Sequence, residues 1–227
     1  MRPDIEKNYR AVLAQIAEAC ERVGRDPSMV KLVAVSKTVG HEEIAAALSA
    51  GIRDFGENRT VQFNEKQELF PDANWHFIGS IQTNKIKDIV GRAALIHSVS
   101  SERALVAIAR RAQALGVTQK LLIEVNVSGE ESKDGIPTNQ LDELLDRAEE
   151  LEGIEVRGLM TMAPQGDIRA SRAAFRGLRE LRDSFISSYG ASGRIRLREL
   201  SMGMSEDFSL AVEEGATIVR IGRNIWM

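Results

Sequence analysis

Two stretches of this chain hold residue types that could do chemistry together. One is Lys37, which follows the small and apolar run VAVS. The other is LSMGMSEDFSLAVEEGATIVRIGRNIWM, residues Leu200 to Met227, which carries Ser205, Arg220, Gly222 and Arg223. A primary amine held partly out of water is a nucleophile toward a carbonyl carbon, and the product is a Schiff base. A hydroxyl, a glycine that lets the backbone approach closely and the N–H beyond it form a corner suited to an anion. Taken singly, each has a plainer reading. A strand-end lysine is usually solvated, Ser205 also reads as a helix N-cap, and Gly222 as a turn. Arg220, set between Val219 and Ile221, could be a buried structural ion pair with Glu199 or Glu124, or a donor aimed at a ligand. The combined reading depends on a fold that brings the two stretches together.

The elements that must do this alternate along the chain. Ile5, Tyr9, Val12, Leu13, Ile16 and Ala19 recur at helical spacing and predict a leading helix from about Pro3 to Gly24. Eight runs then read as strands: VKLVAVSKT, IRDFGEN, NWHFIGS, ALIHSVS, QKLLIEVNVS, IEVRGLMTM, RLRELSMG and TIVRIG. Between them HEEIAAALSAG, RTVQFNEKQELF, NKIKDIVG, SERALVAIARRAQALG, PTNQLDELLDRAEELEG, DIRASRAAFRGLRELRDSFISSYG and SEDFSLAVEEG read as helices. Short apolar strands separated by helices form parallel sheets, and eight such units close into a barrel. The prediction is an α/β chain, residues 1–227 as one (β/α)8 TIM barrel domain with an extra N-terminal helix. An open doubly wound sheet is the alternative. It is disfavoured by the count and by the lack of a Gly-x-Gly-x-x-Gly turn after the first strand. No helix is expected after the eighth strand, so the leading helix takes that place in the outer ring.

Composition narrows the class. The chain has 227 residues, 43% of them hydrophobic and 28% charged, which suits a soluble globular protein. Its formal charge of −3 argues against a nucleic-acid binder. A single cysteine, Cys20, rules out an intrachain disulfide and fits a reducing compartment. There is no signal-peptide pattern and no apolar run of the roughly 20 residues that span a membrane. A cytoplasmic location is expected.

In such barrels, sites lie at the C-terminal ends of the strands, and phosphate often sits on the loops after strands seven and eight. Lys37 ends strand one, Asn58 follows strand two, Met202 to Ser205 follow strand seven, and Arg220, Gly222 and Arg223 belong to strand eight. Glu206 and Asp207 open the helix at Ser205 and would repel a phosphate unless turned away. The histidines at 41, 76 and 97 show no metal spacing. His76 reads best as a hydrogen-bonded structural residue. Met160, Met162, Met202 and Met204 read as core.

These residues together resemble one family, the pyridoxal phosphate homeostasis proteins. The match lies in VAVSKT (33–38), FGENR (55–59), WHFIGSIQTNK (75–85), GLMTMAP (158–164), LSMGMSEDF (200–208) and IVRIGR (218–223), blocks spread over nearly the whole chain. The end IGRNIWM lacks the Gly after an Ile-Phe pair that the family carries. The resemblance implies a barrel like the N-terminal domain of alanine racemase. It also implies pyridoxal 5'-phosphate held on Lys37 as a Schiff base. Ser205, Gly222 and Arg223 would take the phosphate, Arg220 would face the pyridine nitrogen, and Asn58 and Met202 would line the ring. No metal and no catalytic residue is implied. An arginine cannot protonate that nitrogen, which leaves a weak electron sink. Racemisation also needs an acid/base on the opposite face, and neither Tyr9 nor Tyr189 stands at a strand end. The expected role is storage and delivery of the cofactor to enzymes that require it, with little or no turnover, by a monomer. A single-domain amino-acid racemase and a Schiff-base aldolase using Lys37 stay as alternatives.

Overall fold

The computed structural model describes residues 4–130, 133–189 and 193–227. Pro3, expected in the first helical turn, lies outside them. Eight parallel strands follow in order: β1 (Lys31–Val35), β2 (Asp54–Glu57), β3 (Asn74–Phe77), β4 (Leu95–Val99), β5 (Gln119–Asn126), β6 (Ile154–Met160), β7 (Ile195–Ser201) and β8 (Ile218–Ile221). Each pairs with the next, and β1 pairs with β8 through Val33↔Arg220 and Ala34↔Ile221, which closes the barrel. Alternation along the strands separates two cores. Leu32 and Ala34 belong to the large core that includes the helix residues. Val33, Leu95, Leu122, Met160 and Ile218 form a small separate cluster inside the ring.

The leading helix α1 (Ile5–Arg22) covers the closure. Its Asn8 side chain donates to the carbonyls of Ile225 (3.1 Å) and Met227 (2.8 Å), and Arg25 just beyond it donates to those of Val212 and Ala216. The other helices are α2 (His41–Ser49), α3 (Thr60–Leu69), α4 (Glu102–Leu115), α5 (Leu141–Glu149), α6 (Ile168–Tyr189), α7 (Phe208–Glu213) and α8 (Arg223–Trp226).

Four local expectations are corrected. A short helix, α8, does follow the eighth strand, anchored by the Trp226 indole N–H on the Val35 carbonyl at 2.7 Å. The third unit has only a 3-10 segment, Thr83–Asp88. Ile136–Pro137 is extended and pairs with β5, so α5 starts later than its leading proline suggests. Finally, α7 begins at Phe208 instead of Ser205. The Asp207 carboxylate accepts the Met204 N–H at 2.6 Å and holds that segment in a turn. Gly203 makes the same turn possible: its φ is +91°, and a Cβ there would lie 2.5 Å from the Ala211 Cβ.

Candidate functional site

Because β1 and β8 are neighbours, Lys37 and the Gly222–Arg223 pair emerge side by side at the C-terminal rim. A cavity of about 840 Å3 opens there, and Lys37, Asn58, Ser205, Arg220, Gly222 and Arg223 all line it. Six of the seven residues singled out in the sequence thus line one cavity. Met202 does not: it is fully buried in the hydrophobic core. Lys37 is exposed at the rim. Asn58 is held in place by a close approach that only glycine permits, since a Cβ on Gly79 would lie 2.1 Å from the Asn58 carbonyl oxygen.

The corner expected to take an anion is built from a turn and a strand end. The Ser205 hydroxyl accepts the Gly222 N–H at 3.3 Å, and Asn224 donates to the Ser205 carbonyl at 3.2 Å. Ser205 is therefore not the cap of α7, which is too short to offer an anion site of its own. A Cβ on Gly222 would meet only Val35, at an ordinary 3.7 Å, so packing does not require glycine there. Its absent side chain leaves the wall open to a ligand. The two acids that threatened the corner are accounted for. Glu206 pairs with the Arg223 guanidinium at 2.5 Å, and Asp207 faces the Met204 N–H.

Arg220 is fixed from below. Its Nη1 donates to Ser201 Oγ at 2.6 Å and its Nη2 to the Thr161 carbonyl at 3.1 Å. It makes no ion pair with Glu199 or Glu124 among the described residues, so the structural salt bridge is not what holds it. Burial lowers its pKa to about 10, against the opposing pull of Glu124 and Asp207, and it stays charged at neutral pH.

Ser201 begins a polar chain that the sequence reading missed. Ser201 Oγ lies 2.9 Å from His97 Nδ1, His97 Nε2 lies 2.9 Å from His76 Nδ1, and His76 Nε2 lies 3.0 Å from Asp54 Oδ1. With both imidazoles neutral, one proton arrangement serves every link. Arg220 can only donate, so Ser201 accepts from it and passes its own proton to His97 Nδ1. His97 then donates through Nε2 to His76, which donates through Nε2 to Asp54. Both imidazoles are neutral in this arrangement. Burial lowers the pKa of His76 and holds that of His97 well below the ordinary histidine range. The chain runs from Asp54, which also faces Lys31 at 3.5 Å on the opposite rim, up to Arg220. His76 is the hydrogen-bonded structural histidine expected.

A second buried pair stands behind Lys37. Lys66, from α3, donates to the Ser36 carbonyl (2.7 Å) and to Glu57 Oε1 (2.5 Å), which also accepts from Ser36 Oγ (2.8 Å). Lys66 and Glu57 are 4% and 0% exposed, and Glu57 Oε2 has no partner. The signal was a lysine three residues after Phe63, at a core position of its helix.

With this geometry in place, the comparisons with known proteins are specific. Residues 8–227 match the family model described as alanine racemase, N-terminal domain. A protein of Aquifex aeolicus named pyridoxal phosphate homeostasis protein is 45% identical over 214 residues, covering 93% of this chain and 92% of that protein. The chain belongs to the pyridoxal phosphate homeostasis protein family. Among solved structures of that kind, PipY of Synechococcus elongatus, crystallised with PLP bound, superposes with a TM-score of 0.82 at 35% identity, covering 93% of this chain and all of PipY. A Bifidobacterium adolescentis protein of unknown function superposes with a TM-score of 0.92 at 38% identity, covering 99% of this chain and 97% of that one. No helix among the described residues is long and apolar enough to cross a membrane.

Proposed function

We propose that this chain binds pyridoxal 5'-phosphate at the β1/β8 rim and serves as a store and donor of the cofactor for enzymes that require it, with little or no turnover of its own. The observation that carries the reading is the meeting of Lys37 with Ser205, Gly222 and Arg223 in one cavity. The donor set fits the cofactor: an amine for the aldehyde, a hydroxyl and backbone N–H groups for the phosphate, and a fixed donor for the ring. Bound there, the cofactor would supply an electrophilic carbon able to condense reversibly with amines.

Each residue's part follows from its own contacts. Lys37 offers a nucleophilic nitrogen from a rigid strand end braced by the Lys66 contact to Ser36. Ser205 and the Gly222–Arg223 backbone orient an anion. Arg220, committed to Ser201 and Thr161, can donate to a ring acceptor and cannot supply an acidic proton to it. An arginine at the ring leaves the cofactor a weak electron sink, and this supports binding over racemisation.

The test is a titration of the purified protein with pyridoxal 5'-phosphate, followed by α-deuterium exchange of amino acids on the loaded protein. The expected result is saturable binding, with a visible absorption band and exchange far below enzymic rates, which are about 1 s⁻¹ or more. Exchange at that rate would establish a racemase-like enzyme instead. A protein that binds no cofactor would return the aldolase reading.

A further inference from the structure

We propose that buried Glu124 and exposed Asp134, which line the same cavity, form a subsite for a primary ammonium group, either the α-ammonium of an amino acid or the ε-ammonium of a lysine side chain. The cofactor reading gives the subsite its purpose, but ammonium binding stands without it.

The geometry points to a cation-binding site. Glu124 lies on β5 between Ile123 and Val125, both of which pack in the outer core, so its side chain faces the barrel interior. It lines the cavity and is 5% exposed. Among the described residues it makes no hydrogen bond and no ion pair. A buried carboxyl without a partner is costly and is normally paired. Asp134 lines the same cavity and is oriented by Ser80, whose hydroxyl donates to its Oδ2 at 2.8 Å. Arg220, the nearby cation, is occupied by Ser201 and the Thr161 carbonyl and does not reach Glu124 as an ion pair. Burial, then the Asp134 charge, raise the Glu124 pKa to about 7 against the pull of Arg220.

The ligand class follows from these groups. Two carboxyls from different segments can share the N–H donors of one ammonium, which carries three. Ser205, Gly222 and Arg223, proposed above to take an anion, line the same cavity, so a small zwitterion or an amine presented beside a phosphate matches both groups. No group of three or more metal-ligating side chains is present among the described residues, which leaves an organic cation as the better match. The subsite would also place an amine in the cavity that Lys37 borders.

The experiment follows the side-chain carboxyl carbons of glutamate by NMR in the full-length protein, with the Glu124 resonance assigned by its loss in Glu124→Gln. Ethylammonium, L-alanine and Nα-acetyl-lysine amide are added in turn, with tetramethylammonium as a cation lacking N–H donors. The Glu124 resonance should titrate near neutrality. Ethylammonium should move its midpoint down, and tetramethylammonium should not. Of the two remaining probes, the one that reproduces the shift identifies the source of the amine. Ethylammonium affinity, measured by calorimetry in each protein because Glu124→Gln lacks the reporting resonance, should fall about tenfold or more in Glu124→Gln, the scale of one charge-assisted hydrogen bond, and less in Asp134→Asn. A midpoint unmoved by ethylammonium, or equal binding by Glu124→Gln, overturns the proposal. So does loss of the cofactor band in Glu124→Gln with ammonium binding retained, which would assign Glu124 to the cofactor. A wild-type protein that takes no cofactor defeats the functional reading alone and leaves the ammonium result readable.

Discussion

Ser201→Ala should be among the most costly single-atom deletions in this barrel. The hydroxyl it removes serves two buried groups at once, accepting from Arg220 Nη1 and donating to His97 Nδ1. Ser201 and His97 are both 0% exposed and Arg220 is 5% exposed, so solvent does not readily replace the lost partner. An orphaned buried polar group costs about 1–3 kcal/mol, more when charged. Two such groups give an expected loss of about 3 kcal/mol, with Arg220 retaining its bond to the Thr161 carbonyl. Urea denaturation of wild type and variant at pH 8, where both histidines are neutral in either state, measures it directly. The same variant should bind pyridoxal 5'-phosphate more weakly, because Arg220 loses the contact that aims it. A stability loss below about 0.5 kcal/mol, the size of an ordinary surface substitution, would refute the chain as the support of Arg220. So would unchanged cofactor affinity.

Three further outcomes follow from buried ionisable groups. The folded pKa values of His76 and His97 lie below their unfolded ones, so below about pH 6.5 the unfolded chain takes up protons that the folded state refuses, and stability falls with pH. Glu124 acts oppositely: its folded pKa of about 7 exceeds the ordinary 4.5, so between those values its contribution is lost as pH rises. Glu124→Gln should therefore steepen the acid limb of the stability curve and stabilise the protein at pH 8 by up to about 3 kcal/mol, at ~1.4 kcal/mol per pH unit. A pH-independent effect in urea melts would contradict this. Lys66→Met should cost about 3–5 kcal/mol by removing the cation that pairs with buried Glu57. Lys66→Met combined with Glu57→Leu should recover much of that loss in the same melts, and no recovery would argue against the buried pair as the cause.

The barrel was legible because its signals are local and repeated. Each strand is a short apolar run bounded by a helix, and closure follows from the count. The site was legible where chemistry coincides with strand order, since β1 and β8 must meet once the ring closes. That juxtaposition brings Lys37 to Gly222 and Arg223. What the sequence concealed depends on side-chain contacts between distant strands. His76, His97 and Ser201 lie on β3, β4 and β7 and become one chain only across the barrel interior. Met202 read as core with the other methionines and is buried there, so only the resemblance put it at the ring, whereas Met162, also read as core, is exposed and lines the cavity. Ser205 looked like a cap because the Asp207 carboxylate's hold on Met204 N–H could not be seen in the order of residues. Glu124 appeared only as a possible partner for Arg220, and its isolation emerged once Arg220 was seen to be satisfied elsewhere.

The central claim is that Lys37 and the anion corner beside it hold pyridoxal 5'-phosphate. The most direct measurement is the visible absorption spectrum of the wild-type protein and of Lys37→Ala, each mixed with the cofactor and freed of excess. A band in the wild type that is lost in Lys37→Ala, with both proteins folded, is the predicted result. A band that survives in Lys37→Ala, or a wild type that stays colourless, would contradict it.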